Sequence, residues 1–148
     1  KDITLQAMLA FSSVYDNGSF HPGLVFIHDR IDGCAVLNVG EVLAKELTQC
    51  DLKNSALPMV AYDVLKEILD ENVQVNDGGE KYLVIENLSI LFEQQLALDV
   101  ESLFRSYSRS VLLVVVTEYP IVNGCFRPFG DSSDIKVVLD GIRYSEKF

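Results

Sequence analysis

The sequence predicts an α/β domain, a parallel sheet of about five strands with helices on both faces. Short unbroken apolar runs, Tyr82-Leu83-Val84-Ile85 and residues 111–116, read as strands buried on both faces. Stretches of helical spacing separate them, the clearest carrying Val60, Val64, Leu65, Ile68 and Leu69 on one face. The run at 82–85 also ends abruptly in Glu86-Asn87, an acid and an amide just where open α/β sheets bind their ligands. With 148 residues the chain is one domain's worth, residues 1–148.

Residues 5–11 are apolar apart from Gln6 and fit a first buried strand or a short helix. A turn-rich segment follows, with Asp16-Asn17-Gly18 its strongest breaker. From Pro22 the spacing of Leu24, Ile27 and Ile31 predicts a helix, although residues 24–27 equally fit a strand. Residues 35–39 read as the second strand, and Gly40 opens an amphipathic helix over 41–49. A clearer helix spans 59–71 and ends before the flexible turn Asn76-Asp77-Gly78-Gly79. After Glu86-Asn87 an irregular crossing covers 88–98, and Asp99 caps a helix over 100–107. Val111 to Val116 is the most strand-like run, rich in β-branched residues, and ends in Thr117-Glu118. Residues 119–134 hold Pro120, Gly124, Pro128 and Gly130 and read as loop, 135–139 as a last strand, and the rest as a short polar tail. The five strands expected are therefore 5–11, 35–39, 82–86, 111–117 and 135–139.

Composition narrows the function. Hydrophobic residues at 49% and charged ones at 23% exclude a disordered chain. A net charge of −10 argues against direct nucleic-acid binding, because neutralising phosphates supplies most of that affinity. Cys34, Cys50 and Cys125 are odd in number and widely spaced, which favours reduced thiols in a cytoplasmic protein. His21 and His28 belong to no cluster with zinc-ligand spacing. The longest apolar run, 111–116, is far too short to cross a bilayer, so no membrane partner is expected.

An apolar strand ending in an acid has the shape of a Walker B strand, whose carboxylate works with Mg²⁺ and a nucleotide phosphate. A phosphate loop, G-x-x-x-x-G-K-[ST], should then follow the first strand. One register runs from Ser13 to Phe20 and keeps only Gly18, with Ser19 at the lysine position, Phe20 at the hydroxyl position and Asp16 adding negative charge. Ser13, Gly18 and Ser19 are its candidate cofactor-binding residues. A second register, His28 to Ala35, applies if 24–27 is the strand; it keeps Gly33, with Cys34 and Ala35 at the key positions. Losing the lysine removes the charge partner of the phosphates, and losing the hydroxyl removes a metal ligand. ATP hydrolysis is expected to be lost, which makes the chain a pseudo-ATPase.

The candidate catalytic residues are Glu86, Glu118 and Arg109, with Glu86 also the candidate metal ligand should ATP and Mg²⁺ bind. Glu86 and Glu118 would end neighbouring strands in the usual P-loop sheet order. Solvated strand ends are the plainer reading of both acids. Arg109 suits an arginine finger toward a neighbouring subunit, and equally an arginine closing a helix at its negative end. Thr117 occupies a position like a sensor residue, and Asn87 suits a bond to a neighbouring turn. Tyr15, Phe20 and Phe26 read as core rather than a base-stacking platform, while Tyr107, Phe126 and Phe129 are either tucked loop aromatics or an apolar patch for a partner.

Residues 35–118 carry a resemblance to a family. Leu37-Asn38-Val39-Gly40 leading into a helix, Leu83-Val84-Ile85-Glu86-Asn87-Leu88-Ser89-Ile90-Leu91-Phe92, and Ser108-Arg109 before a strand are similar to BrxF, the small P-loop ATPase-like subunit of some BREX bacteriophage-defence systems. The chain departs from that family in lacking the Walker A lysine and hydroxyl, in Glu86 for the usual aspartate, and in Ser110 where asparagine is common. The resemblance implies a P-loop NTPase-like fold of AAA/ASCE type, other defence-system proteins as partners, and an oligomer or complex. The function expected is a non-catalytic or weakly catalytic subunit of an anti-phage assembly. The alternatives are an active Mg²⁺-dependent ATPase with a non-standard phosphate loop, and an unrelated α/β interaction adaptor.

Overall fold

The computed structural model describes residues 3–4, 23–28, 31–32, 34–49, 57–76 and 79–147. In chain order the first elements are β1 (Ile3–Thr4), β2 (Leu24–Ile27), β3 (Ile31–Asp32), β4 (Leu37–Asn38), α1 (Val39–Thr48), α2 (Leu57–Glu71), β5 (Gln74–Val75) and β6 (Lys81–Glu86). Two 3-10 turns follow (Ser89–Phe92 and Gln94–Leu96), then α3 (Val100–Tyr107), β7 (Leu112–Val116), β8 (Cys125–Phe126), β9 (Val137–Val138) and β10 (Tyr144–Lys147).

Five strands make the main sheet in the order β10–β2–β7–β6–β4, all parallel, and β5 adds a short antiparallel pairing to the start of β6. β6 therefore lies inside the sheet, between β4 and β7. Its residues 82–85 are all buried, which is why its sequence shows no polar alternation. Burial alternates between two cores. Leu24, Phe26, Leu83, Ile85, Leu113 and Val115 face one side; Val25, Ile27, Tyr82, Val84, Leu112 and Val114 face the other.

Every described helix packs on the first side, through Leu43 of α1, Leu65 of α2 and Phe104 of α3. Helices on both faces were expected. Among the described residues the second side is instead covered by Ile31, Cys34 and Val36. α1 and α3 begin as their caps dictate: Asn38 accepts from the Glu41 amide at 3.0 Å, and Asp99 from the Ser102 amide at 3.0 Å. Tyr107 donates to Asp70 at 3.1 Å and so ties α3 to α2. Burial, and then this hydrogen bond, hold its hydroxyl above the ordinary phenol range.

Five expectations need correction or limit. The helix predicted from Pro22 is strand β2 over 24–27. It is fully buried with parallel neighbours on both sides, so its helical spacing was a coincidence of an all-apolar run. The strand expected at 35–39 shortens to Leu37–Asn38, because Asn38 already caps α1. The strand expected at 135–139 is only Val137–Val138, paired with β8 in a small hairpin outside the main sheet. The last strand of the main sheet is β10, in what read as a polar tail. The strand expected at 5–11 lies outside the described residues. No described helix is long and apolar enough to cross a membrane.

Candidate functional site

Parallel strands bring their carboxyl ends together, and here that edge carries a cleft of about 510 Å³. It is lined by residues 86–89 at and beyond the end of β6, 116–119 at and beyond the end of β7, and Phe126, Pro128 and Phe129 from the segment that follows. Because β6 and β7 are hydrogen-bonded neighbours with Ile85 opposite Val115, Glu86 and Glu118 follow adjacent strand ends and line the same cleft. Glu86 is half-buried and Glu118 exposed, and neither carboxylate has a hydrogen-bond or ion-pair partner among the described residues. No group of three or more His, Cys, Asp or Glu converges as a metal cage among the described residues. A magnesium ion held by one or two carboxylates and a phosphate needs no such cage.

The neighbouring polar groups are engaged locally. Asn87 has a left-handed backbone (φ 59°) and donates to Asn38 Oδ1 at 2.8 Å, joining the turn after β6 to the start of α1. Gly40 permits that join, since a Cβ there would sit 2.6 Å from the Asn87 carbonyl oxygen. Thr117 uses its hydroxyl to accept from the Tyr119 amide at 3.3 Å, and its carbonyl accepts from His28 Nδ1 at 2.9 Å.

His28 was passed over in the sequence, yet its side chain is only 7% exposed and it organises this edge. Its Nε2 lies 2.7 Å from Glu146 Oε2, which also accepts from the Ile121 amide at 2.8 Å. One imidazole thus ties the ends of β2, β7 and β10 together. The pair joins residues 118 apart in sequence, so no local pattern could announce it. His28→Ala should lower unfolding free energy by about 1–2 kcal/mol, as expected when part-buried acceptors, one of them a carboxylate, lose their donor. Urea denaturation checks this, and an unchanged midpoint would contradict the clamp.

The other site candidates do not converge here. Arg109 is exposed in the turn before β7, at the opposite end of a five-residue strand that spans about 16 Å. Ser13, Gly18 and Ser19 lie outside the described residues. With 24–27 a strand, the second register falls on the crossing from β2 to β4. That crossing has the nine residues 28–36, and β7 and β6 lie between its ends. It must travel about 14 Å across three strand spacings, and also back along the strands. Nine helical residues reach only about 14 Å in all. A phosphate-loop helix does not fit, and the segment instead pairs Ile31 and Asp32 with β1. Ala35, at the hydroxyl position, is fixed far from the acids. Its amide donates to Gln74 at 3.2 Å and its carbonyl accepts from Gln74 at 2.8 Å. Gln74 sits opposite Tyr82, four residues and about 13 Å before Glu86.

No family model, curated protein or solved structure matches this chain.

Proposed function

We propose that the chain is a P-loop NTPase-like domain of ASCE type without a working nucleotide site, acting as a non-catalytic subunit of a prokaryotic anti-phage complex, as its resemblance to BrxF implies. Two features of the sheet support the fold reading. The ASCE arrangement sets one additional strand between the strand entering the phosphate loop and the strand ending in the acid. Here β7 lies between β2 and β6, and β6 ends in Glu86.

The loss of the site rests on one observation, the nine-residue crossing from β2 to β4. A phosphate loop works by aiming backbone amides and the start of a helix at the phosphates. This crossing has no room for that helix, and no lysine stands at the matching position. Glu86 is then an acid without the phosphate and metal it would serve.

The test is a phage-challenge assay with the chain co-expressed with its neighbouring genes. Deleting the chain should abolish resistance, while the purified chain should release no phosphate from Mg²⁺-ATP above the protein-free rate. Resistance that survives the deletion, or phosphate release that disappears in Glu86→Gln, would contradict the proposal.

A further inference from the structure

We infer that the cleft at the ends of β6 and β7 receives an arginine side chain presented by a basic segment of a partner protein. This deepens the proposed role as a subunit and rests on it for the existence of a partner. The cleft has a volume in the usual range for ligand sites. Its chemistry is one-sided. Glu86 and Glu118 supply two carboxylates with no partner among the described residues, and no described residue lining the cleft is a lysine, arginine or histidine. Such a lining repels phosphates and attracts a cation.

The aromatic residues narrow the cation further. Tyr119 and Phe129 line the same cleft, with Phe129 36% exposed, while Phe126 is fully packed behind them. A guanidinium is planar and weakly hydrated, stacks on aromatic faces and pairs with carboxylates through several N–H donors at once. A lysine ammonium gives up hydration more reluctantly and stacks less well. The chain's net charge of −10 would draw a basic segment in from a distance. Tyr119 is held in place: it packs on Gly130, where a Cβ would come within 2.9 Å of its ring.

The experiment titrates the full chain with a fluorescent Gly-Arg-Gly-Arg-Gly peptide and, in parallel, with its glutamine counterpart and free arginine. Saturable binding to the arginine peptide alone is expected, weakened about tenfold by Glu118→Gln and several-fold by Phe129→Leu, which keeps apolar bulk but removes the ring face. Glu67→Gln/Glu71→Gln, on the exposed side of α2, removes two charges elsewhere and should leave the affinity within about twofold. Three outcomes overturn the proposal: no saturable binding, equal binding of free arginine, or equal weakening by the α2 pair. Glu118 and Phe129 are exposed, so these variants keep the fold even if changes at Glu86 do not. A parallel ATP titration separates the two readings. ATP binding without competition against the peptide would fault the proposed loss of the nucleotide site and leave the arginine cleft standing.

Discussion

Gly40→Ala should destabilise the protein by about 2–3 kcal/mol, although alanine is the better helix former. Replacing a helical glycine by alanine favours the helix by up to about 1 kcal/mol. Here the new methyl would lie 2.6 Å from the Asn87 carbonyl oxygen, 2.7 Å from its Nδ2 and 2.9 Å from its Cγ. Relief requires α1 to move away from the turn after β6. That movement breaks the bond from Asn87 to Asn38 and disturbs the cap that Asn38 gives α1. Overpacking against fixed backbone costs a few kcal/mol and outweighs the gain in propensity. Urea denaturation measures the outcome, and a variant as stable as the parent would refute the close approach. Adding Asn87→Gly removes two of the three crowding atoms and suits the left-handed backbone. The double variant should recover part of the loss, which makes the two changes non-additive.

Phe126→Ala should cost about 3–5 kcal/mol, the largest effect of any single substitution considered. Phe126 is 1% exposed and stands at the centre of an aromatic group, with ring centroids 5.1 Å from Phe26, 6.1 Å from Phe104 and 6.5 Å from Phe92. It joins β2, α3 and the turn after β6 to the long loop between β7 and β10. A domain of this size has roughly 5–15 kcal/mol to lose. Truncation should therefore leave a marginal protein, with β10 exchanging its amide hydrogens first because it is held only along β2. Phe126→Leu keeps most of the volume and should cost well under half as much. Equal stability of the alanine variant and the parent would show that the loop is not anchored through this ring.

What the sequence made legible follows from burial. β6 and β7 are buried on both faces, so their composition alone marks them as strands. α2 and α3 have one buried stripe each and display it at helical spacing, and Asp99 marks where α3 begins. β10 was missed for the converse reason. It is an edge strand whose Ser145, Glu146 and Lys147 are only half-buried, and edge strands carry charge to block further pairing. Leu24–Ile27 was misread because four consecutive apolar residues fit either periodicity, and only its two parallel neighbours decide between them. Of the site, Glu86 and Glu118 were placed at neighbouring strand ends, where β6 and β7 do end, whereas Asn87 bonds Asn38 at the start of α1 rather than a turn. His28 and Glu146 became visible only when the sheet order brought the last strand beside the first strand of the main sheet.

We propose that this sheet keeps the acid of a nucleotide-binding fold without, among the described residues, a loop that would hold the phosphates. Isothermal titration of the full chain with Mg²⁺-ATP, run beside a phosphate-release assay, tests it most directly. No saturable heat up to about 1 mM ATP, a ceiling of roughly −4 kcal/mol of binding, and no release above the protein-free rate are expected. Tight binding, with turnover that disappears in Glu86→Gln, would contradict it.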